Sequence, residues 1–141
     1  MKREIKFRVW DHNTNTMMIP DYFEFYDGKI GWIEAGREAG PESGNDGCPD
    51  QFEIMQYTGL HDKNGQEVYE GDIVRWGDMV GLGHEKPVRV AVVRFDPDIC
   101  FDSNVGIFDY GNFVYKETDK YLTVIGNVFE NHELLEAAKH E

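Results

Sequence analysis

The sequence has few of the residues that hold together or localise several classes of protein. Only two of its 141 residues are cysteine, which excludes a fold held by several disulfides. No apolar run approaches the ~20 residues of a transmembrane helix, and the first ten residues lack the apolar segment of a signal peptide. Cations are scarce as well, with 14 Lys and Arg against 27 Asp and Glu, which disfavours direct binding to a nucleic-acid backbone. We therefore expect an acidic cytoplasmic protein that binds neither membranes nor nucleic acid directly.

Apolar residues and charge are both present in informative patterns. Hydrophobic residues make up 40% and aromatic residues 13% of the chain, which is enough to build a core. Residues 1–10 hold four cationic side chains and one acidic side chain, whereas residues 21–72 hold thirteen acidic and three cationic ones. This asymmetry can guide self-association, in which a basic strand meets an acidic face, or it can simply be a solvated surface.

Alternating apolar and polar residues predict several short strands. Residues Lys2–Asp11 form the first, which places Val9 on the core face and Trp10 on the opposite face. Asp27-Gly28 predicts a tight hairpin turn between two further strands. Val88–Phe95 is apolar on both faces, so we expect this strand to lie in the middle of a sheet.

The C-terminal region predicts one more strand and a helix. Tyr121–Phe129 has strand character, with an interruption at Gly126. Asn131 is typical of a helix N-cap, and good helix formers follow it up to Lys139. The whole pattern favours a mainly-β fold, either a small SH3-like barrel or twisted antiparallel sheets, with a short C-terminal helix.

The segment Ala35–Gln51 differs in composition from the rest of the chain. It contains four glycines and two prolines and almost no bulky apolar side chain, which is typical of a mobile loop. We expect a single domain over residues 1–141. This loop is a possible subdivision, with N-terminal strands in 1–34 and a barrel-like part with the terminal helix in 52–141.

Residue patterns that would indicate catalysis or a cofactor are mostly missing. Cys48 and Cys100 belong to no Cys-x-x-Cys pair, and the Asp11–Tyr22 segment has neither the glycine nor the final glutamate of a calcium-binding loop. We predict no catalytic, cofactor-binding or metal-binding residue. The alternative is a metal-dependent hydrolase, which would require clustering of scattered carboxylates, namely Asp62, Asp72, Asp96 or Asp98.

Three ordered segments carry a more specific signal. They read REIKFRVWD at 3–11, MQYTGLHDKNGQEVYEGDIV at 55–74 and VIGNVFENHELL at 124–135. Together they resemble the opening, the central motif and the closing segment of the YopX family of phage and prophage proteins. The resemblance implies one YopX-like domain with no established enzymatic activity, and it implies homo-oligomers.

Within these segments we expect the turn-forming and polar residues to matter for shape more than for chemistry, because glycine and short polar side chains form sharp bends. We call them the family-motif residues: Tyr57, Thr58, Gly59, Asp62, Gly65, Gly71, Asp72, Gly126, Asn127 and Asn131.

The function that follows is a non-enzymatic accessory protein of a phage or prophage in the bacterial cytoplasm. It would act by homo-oligomerisation and by binding an unidentified host or phage protein. Lys6, Arg8 and Trp10 on the first strand are the candidate self-association residues. A second possibility is an acidic decoy that occupies a nucleic-acid-binding site on a host protein, and a third is the metal-dependent hydrolase.

Limited proteolysis tests the predicted loop. Because its glycines leave little apolar surface to bury, ordering this segment returns too little to offset the backbone entropy of ~1–2 kcal/mol per residue. The first cuts should therefore fall within 35–51. Earliest cuts inside Val88–Phe95, identified by mass spectrometry, would contradict the predicted organisation.

Overall fold

A computed structural model of the chain describes residues 4–35, 46–77, 89–95, 98–103, 106–110 and 118–139. Antiparallel strands dominate these residues, together with two short helices, which confirms the mainly-β prediction. The chain divides into an N-terminal unit, Ile5–Gln56, and a C-terminal unit that comprises Tyr57–Glu141 and Met1–Glu4. The boundary lies within a strand, between Gln56 and Tyr57, whereas composition suggested a division at 35–51.

The N-terminal unit consists of short strands and one 3₁₀ turn. β1 pairs with β2 on one side and with the first half of β6 on the other, while β3, β4 and β5 form a three-stranded sheet in that order. The elements are β1 (Phe7–Asp11), β2 (Thr16–Met18), β3 (Pro20–Tyr26), β4 (Lys29–Ala35), β5 (Asp46–Gly47), a 3₁₀ turn (Pro49–Gln51) and β6 (Phe52–His61).

The turn between β3 and β4 is the hairpin that Asp27-Gly28 predicts. Both residues have positive φ, 52° at Asp27 and 80° at Gly28, and Tyr26 pairs directly with Lys29 across the turn. Positive φ at both central positions defines the hairpin turn whose twist matches that of the strands. The local sequence therefore determines this turn.

Burial in β1 differs from the alternating prediction. Val9 and Asp11 are fully buried, and Trp10 between them is only 8% exposed. Because consecutive side chains point to opposite faces, both faces of the strand are covered at this end. Trp10 thus lies on the face opposite Val9, as predicted, but that face is buried within the chain as well. The core of this unit is built around four buried residues, Val9, Ile33, Ala35 and Phe52.

The prediction of a loop over Ala35–Gln51 is wrong at both ends. Ala35 ends β4 with 1% exposure, and β5 pairs with β4 through Ile33 and Gly47. A Cβ at Gly47 would lie 2.0 Å from Oε1 of Gln51, so the glycine permits a close approach that composition alone does not show. The rest of the predicted loop, 36–45, lies outside the described residues.

The C-terminal unit contains a five-stranded antiparallel sheet in the order β11-β10-β9-β8-β12. The second half of β6 pairs with β7 in the same unit. The elements are β7 (Glu67–Tyr69), β8 (Asp72–Trp76), β9 (Arg89–Phe95), β10 (Ile99–Ser103), β11 (Gly106–Asp109), α1 (Thr118–Tyr121), β12 (Thr123–Asn127) and α2 (Glu133–Lys139).

The middle position of β9 confirms the prediction from its two apolar faces, although Val88 lies outside the described residues. The adjoining core gathers residues from several strands. Trp76 packs edge-on against Phe101 and Phe108, with ring centroids 5.9 and 5.6 Å apart. Five fully buried aliphatic residues belong to the same cluster, namely Val68, Val74, Ala91, Val93 and Leu122.

The two helices differ in how well the sequence predicts them. α2 begins at Glu133 and confirms the expected C-terminal helix. α1 is unexpected, because Tyr121 was predicted to begin a strand. The N–H of Leu122 instead donates to the carbonyl of Thr118 at 3.0 Å, which closes one helical turn before β12 starts. Leu122 is fully buried, so core packing rather than local propensity positions this turn.

Replacing Gly28 by alanine tests the hairpin turn. No atom lies within 4 Å of a Cβ added there, so the loss reflects backbone strain alone. We expect Gly28→Ala to lower the free energy of unfolding by about 1 kcal/mol, measured by urea denaturation.

Gly28→Asn is the matched control, because asparagine adopts positive φ more readily than alanine, and its loss should be smaller. Equal losses for the two variants would contradict the explanation by strain.

Candidate functional site

The family-motif residues all lie in the C-terminal unit, at the ends and turns of its strands. Three lie in the second half of β6, two in the turn after β6, two at the start of β8 and just before it, and three at the end of β12 and just beyond it. Gly59, Gly65 and Gly71 each have positive φ. Their contacts show what these residues do.

Thr58 and Gly59 form a bulge in β6. The pairing of β6 with β7 shifts between Tyr57 and Leu60. The Thr58 hydroxyl donates to the carbonyl of Val68 at 2.7 Å and accepts from the N–H of Leu60 at 3.1 Å. A bulge removes backbone groups from the ladder, and here the hydroxyl bonds to them. The polar residues of Thr58–Gln66 and its Asn64-Gly65 pair predict a hairpin loop that begins at Thr58. That starting point is wrong, since β6 continues to His61.

Asp62 bonds to the backbone of two separate segments. It is 2% exposed, and its Oδ1 accepts from the N–H groups of Asn64 at 2.8 Å and Gln66 at 2.9 Å. Its Oδ2 accepts from the N–H of Val124 in β12 at 3.0 Å. One carboxylate thus connects the turn after β6 to a strand 62 residues away.

Backbone hydrogen bonds complete the same turn. The N–H of Asp62 donates to the carbonyl of Gln66 at 2.9 Å, and the N–H of Gly65 donates to the carbonyl of Asp62 at 3.0 Å. The backbone N–H of Lys63 donates to the carbonyl of Leu122 at 2.9 Å. The Asn64-Gly65 sequence therefore forms the predicted hairpin turn. The carbonyl of Leu122, just before β12, accepts a hydrogen bond from this turn.

Gly71 and Asp72 form the predicted bend between β7 and β8. The carboxylate of Asp72 accepts from the N–H of Tyr69 at 2.8 Å and is 2% exposed. Gly71 donates its N–H to the carbonyl of Val93 at 2.8 Å and accepts from the N–H of Val128 at 3.0 Å. The bend is thereby connected to the middle strand β9 and to the segment after β12.

Gly126, Asn127 and Asn131 hold the end of β12. Oδ1 of Asn127 accepts from the N–H groups of Phe129 and Glu130 at 3.0 and 2.9 Å. Oδ1 of Asn131 accepts from the N–H of Asn127 at 3.2 Å. This side chain therefore bonds to the end of β12, whereas the sequence predicted that it caps the N-terminus of α2. A Cβ at Gly126 would lie 2.5 Å from that oxygen, which explains the glycine by close approach.

Tyr57 meets two neighbours that the sequence patterns did not indicate. Its ring lies 5.5 Å from that of Tyr69, and its hydroxyl lies 3.3 Å from Nε2 of His61. Tyr57 is buried, and His61 is exposed. Tyr57 and His61 would be about 13 Å apart on a regular strand, so their contact depends on the bulge, which alternation does not reveal.

The candidate self-association residues lie in and beside β1. Trp10 is buried, while Lys6 and Arg8 are half-buried and take part in interactions of their own. Asp11 at the end of the strand was not predicted as a key residue. Its Oδ1 accepts from the N–H of Asn13 at 2.8 Å and from Nε2 of Gln51 at 3.1 Å. This buried carboxylate therefore connects the turn after β1 to Gln51 at the end of the 3₁₀ turn.

The carboxylates of the hydrolase alternative are engaged in turns. Asp62 and Asp72 accept backbone N–H groups as described, and Oδ1 of Asp98 accepts from the N–H of Ile99 at 2.9 Å. Asp96 lies outside the described residues. Within the described ranges, no three His, Cys, Asp or Glu side chains are placed to hold a metal ion. No helix of the described part is long and apolar enough to span a membrane.

These features define a mainly-β protein whose motif side chains bond to the backbone of its own turns. A family model described as YopX protein matches residues 6–136, and the chain belongs to the YopX family. The fold is similar to the crystal structure of protein EF1440 from Enterococcus faecalis, with a TM-score of 0.62 and 26% sequence identity. That match covers 95% of this chain and 99% of the other. A search of curated proteins finds no match.

Substitution of Asp62 tests its role as an acceptor. An amide retains one acceptor oxygen but turns an NH₂ donor towards backbone N–H donors, which leaves buried groups unsatisfied. We expect Asp62→Asn to lower the free energy of unfolding by about 2–4 kcal/mol in urea denaturation.

The exposed Asp119 provides the control for the change of charge, and Asp119→Asn should change the same quantity by less than about 0.5 kcal/mol. A similar small change at both positions would show that the three hydrogen bonds of Asp62 do not hold the turn.

Proposed function

We propose that this protein is a non-enzymatic phage or prophage accessory protein of the bacterial cytoplasm, which acts by self-association and by binding another protein. One observation carries the proposal. Seven large apolar side chains of the described part are exposed, and five of them lie between residues 5 and 26. They are Ile5, Ile19, Tyr22, Phe25 and Tyr26, with exposures of 69%, 69%, 41%, 61% and 61%.

Concentrated apolar exposure of this kind supports an interaction surface. Isolated exposed apolar residues are ordinary, whereas contiguous apolar patches mark contacts with other proteins, and five such residues within positions 5–26 support a patch of this kind. Three of the five lie on β3, which is the outer strand of its described three-stranded sheet. An outer strand presents backbone groups that can pair with another chain.

The family-motif residues support the non-enzymatic part of the proposal. Their polar atoms bond to backbone groups of turns, as the contacts of Asp62, Asp72 and Asn127 show. Membership of the YopX family, with its resemblance to phage and prophage proteins, provides the biological setting of the proposal.

The acidic decoy receives less support. The acidic block of residues 21–72 includes Asp62 and Asp72, whose carboxylates point inwards and are 2% exposed. These two groups do not contribute to a surface that imitates phosphates. The surface therefore offers fewer negative groups to a nucleic-acid-binding site than composition suggests.

Light scattering after size-exclusion chromatography tests self-association. We expect the wild-type protein to have a mass of several chains at micromolar concentration. Replacing exposed apolar groups by serine, in Ile19→Ser with Phe25→Ser, should shift the protein to the mass of one chain, because apolar burial drives such assembly. Moderate salt should leave the wild-type mass unchanged, because apolar contacts are not screened.

Ile107→Ser is the matched control, since Ile107 is 63% exposed but lies in the C-terminal unit. This variant should keep the wild-type mass. Circular dichroism verifies that all variants remain folded. A wild-type mass of one chain across micromolar concentrations would refute self-association.

A further inference from the structure

The β3–β4 hairpin carries aromatic and acidic side chains in an alternating arrangement on one face. In the antiparallel register, Tyr22 lies opposite Glu34, and Glu24 lies opposite Trp32. Residues opposite each other share a face, as do residues two positions apart along a strand. These four side chains, which we call the hairpin quartet, therefore form a square with aromatic groups on one diagonal and carboxylates on the other.

The opposite face of the hairpin packs into the core of the N-terminal unit. Phe23 and Ile33 are paired across the strands, and both belong to the apolar cluster around Val9. Ile33 is fully buried, whereas Tyr22 is 41% exposed and Trp32 is half-buried. The hairpin quartet thus lies on the face away from this core.

Neighbouring donors hold the two carboxylates in position. The hydroxyl of Tyr26 donates to Oε2 of Glu24 at 2.8 Å, and Nε1–H of Trp32 donates to Oε1 of Glu34 at 3.0 Å. The hydrogen bond from Tyr26 and the charge of Glu24 raise the pKa of the phenol above its ordinary value of 10.0, so the hydroxyl remains a donor at neutral pH. Each of these bonds uses one oxygen of its carboxylate.

Gly31 fixes the ring of Tyr26 beside the quartet. A Cβ at position 31 would lie 2.1 Å from Cδ2 of Tyr26, so the ring lies across the glycine. Tyr26 is 61% exposed and shares the face of Glu24. The aromatic surface therefore extends one position beyond the quartet towards the turn.

The charge of this face is negative. Glu24 and Glu34 are diagonal neighbours, for which backbone separations are about 7–8 Å. Among the residues that the structure describes, neither carboxylate forms an ion pair. Lys29 lies opposite Tyr26 at the turn and is the only cation of the hairpin, against Asp21, Asp27 and the two glutamates. Two like charges at this spacing repel each other, and a cation between them would relieve the repulsion.

Arginine is the cation that fits this arrangement best. Its guanidinium is planar, donates to two carboxylates at once and stacks on aromatic rings, and it is more weakly hydrated than an ammonium group. We propose that the hairpin quartet binds an arginine side chain on an extended segment of a partner protein. This inference rests on the proposed protein-binding function and specifies the chemistry of the partner.

The length of the face indicates how the partner segment lies. Residues two positions apart on an extended chain are about 6.6–6.8 Å apart and point the same way. An arginine at the centre of the quartet therefore places a second arginine, two residues along, between Glu24 and Tyr26. Segments with alternating arginines consequently match the face better than segments with adjacent ones.

Fluorescence anisotropy with a fluorescein-labelled peptide in which arginine alternates with serine tests the proposal. The full-length protein should bind this peptide, and Glu24→Gln with Glu34→Gln should weaken binding by at least about tenfold, since two charge-assisted contacts are lost. The control variant, Asp119→Asn with Glu133→Gln, removes the same charge from exposed positions of the C-terminal unit. It should weaken binding by less than about twofold. Equal weakening by both variants, or no binding to the wild type, would overturn the proposal.

Peptide chemistry separates arginine recognition from general attraction of cations. A peptide with lysine at each arginine position should bind at least about threefold more weakly, because it lacks the planar fork. A peptide with citrulline at these positions should show no binding. The Trp32 indole N–H resonance, assigned with Trp32→Phe, should move when the arginine peptide is added. Lysine binding as tight as arginine binding, or an unmoved Trp32 resonance, would refute the assignment.

The same variants distinguish this proposal from self-association. If Glu24→Gln with Glu34→Gln loses peptide binding and keeps the mass of the wild-type assembly, the quartet binds a foreign segment as proposed. If this variant falls to the mass of one chain, a second copy occupies the quartet and the foreign partner is refuted. A wild-type protein with the mass of one chain that still binds the arginine peptide refutes self-association alone.

Discussion

The C-terminal unit depends on the buried carboxylate of Asp62. A charged group that is 2% exposed is tolerated only when donors surround it, and three backbone N–H groups do so here. Two of these donors belong to its own turn, and the third belongs to Val124 in β12. The position of the turn and the position of the distant strand are thus coupled through one side chain. Asp11 has a comparable role in the N-terminal unit, where it joins its own turn to Gln51.

The polar side chains of the two units have different partners. In the C-terminal unit, the side chains of Asp72 and Asn127 are engaged with backbone N–H groups, and so are not offered to a ligand. In the N-terminal unit, the carboxylates of Glu24 and Glu34 lie instead on an outer sheet face among aromatic rings. The polar side chains of the central motif thus bond to the backbone of turns, while the face proposed for binding lies outside this motif.

Local chemistry accounts for the elements that could be predicted. The Asp27-Gly28 turn depends on the dihedral angles that these residues adopt, and the middle position of β9 follows from its two apolar faces. The positive φ of Gly59, Gly65 and Gly71 likewise reflects the local freedom of glycine, which favours bends. The helical turn before Leu122 was missed, since four residues have little helical preference without packing.

What the sequence alone determined is the mainly-β class, the hairpin turns, the terminal helix and the family, because each is carried by residues that are neighbours in the chain. Only the tertiary structure decided that Trp10 is buried, that β6 continues through a bulge and that Asp62 reaches β12. It also decided that Tyr22, Glu24, Trp32 and Glu34 share one face, since the register of β3 and β4 includes shifts. These features depend on which distant segments cover a face or supply a donor, and alternation along one strand carries no information about that.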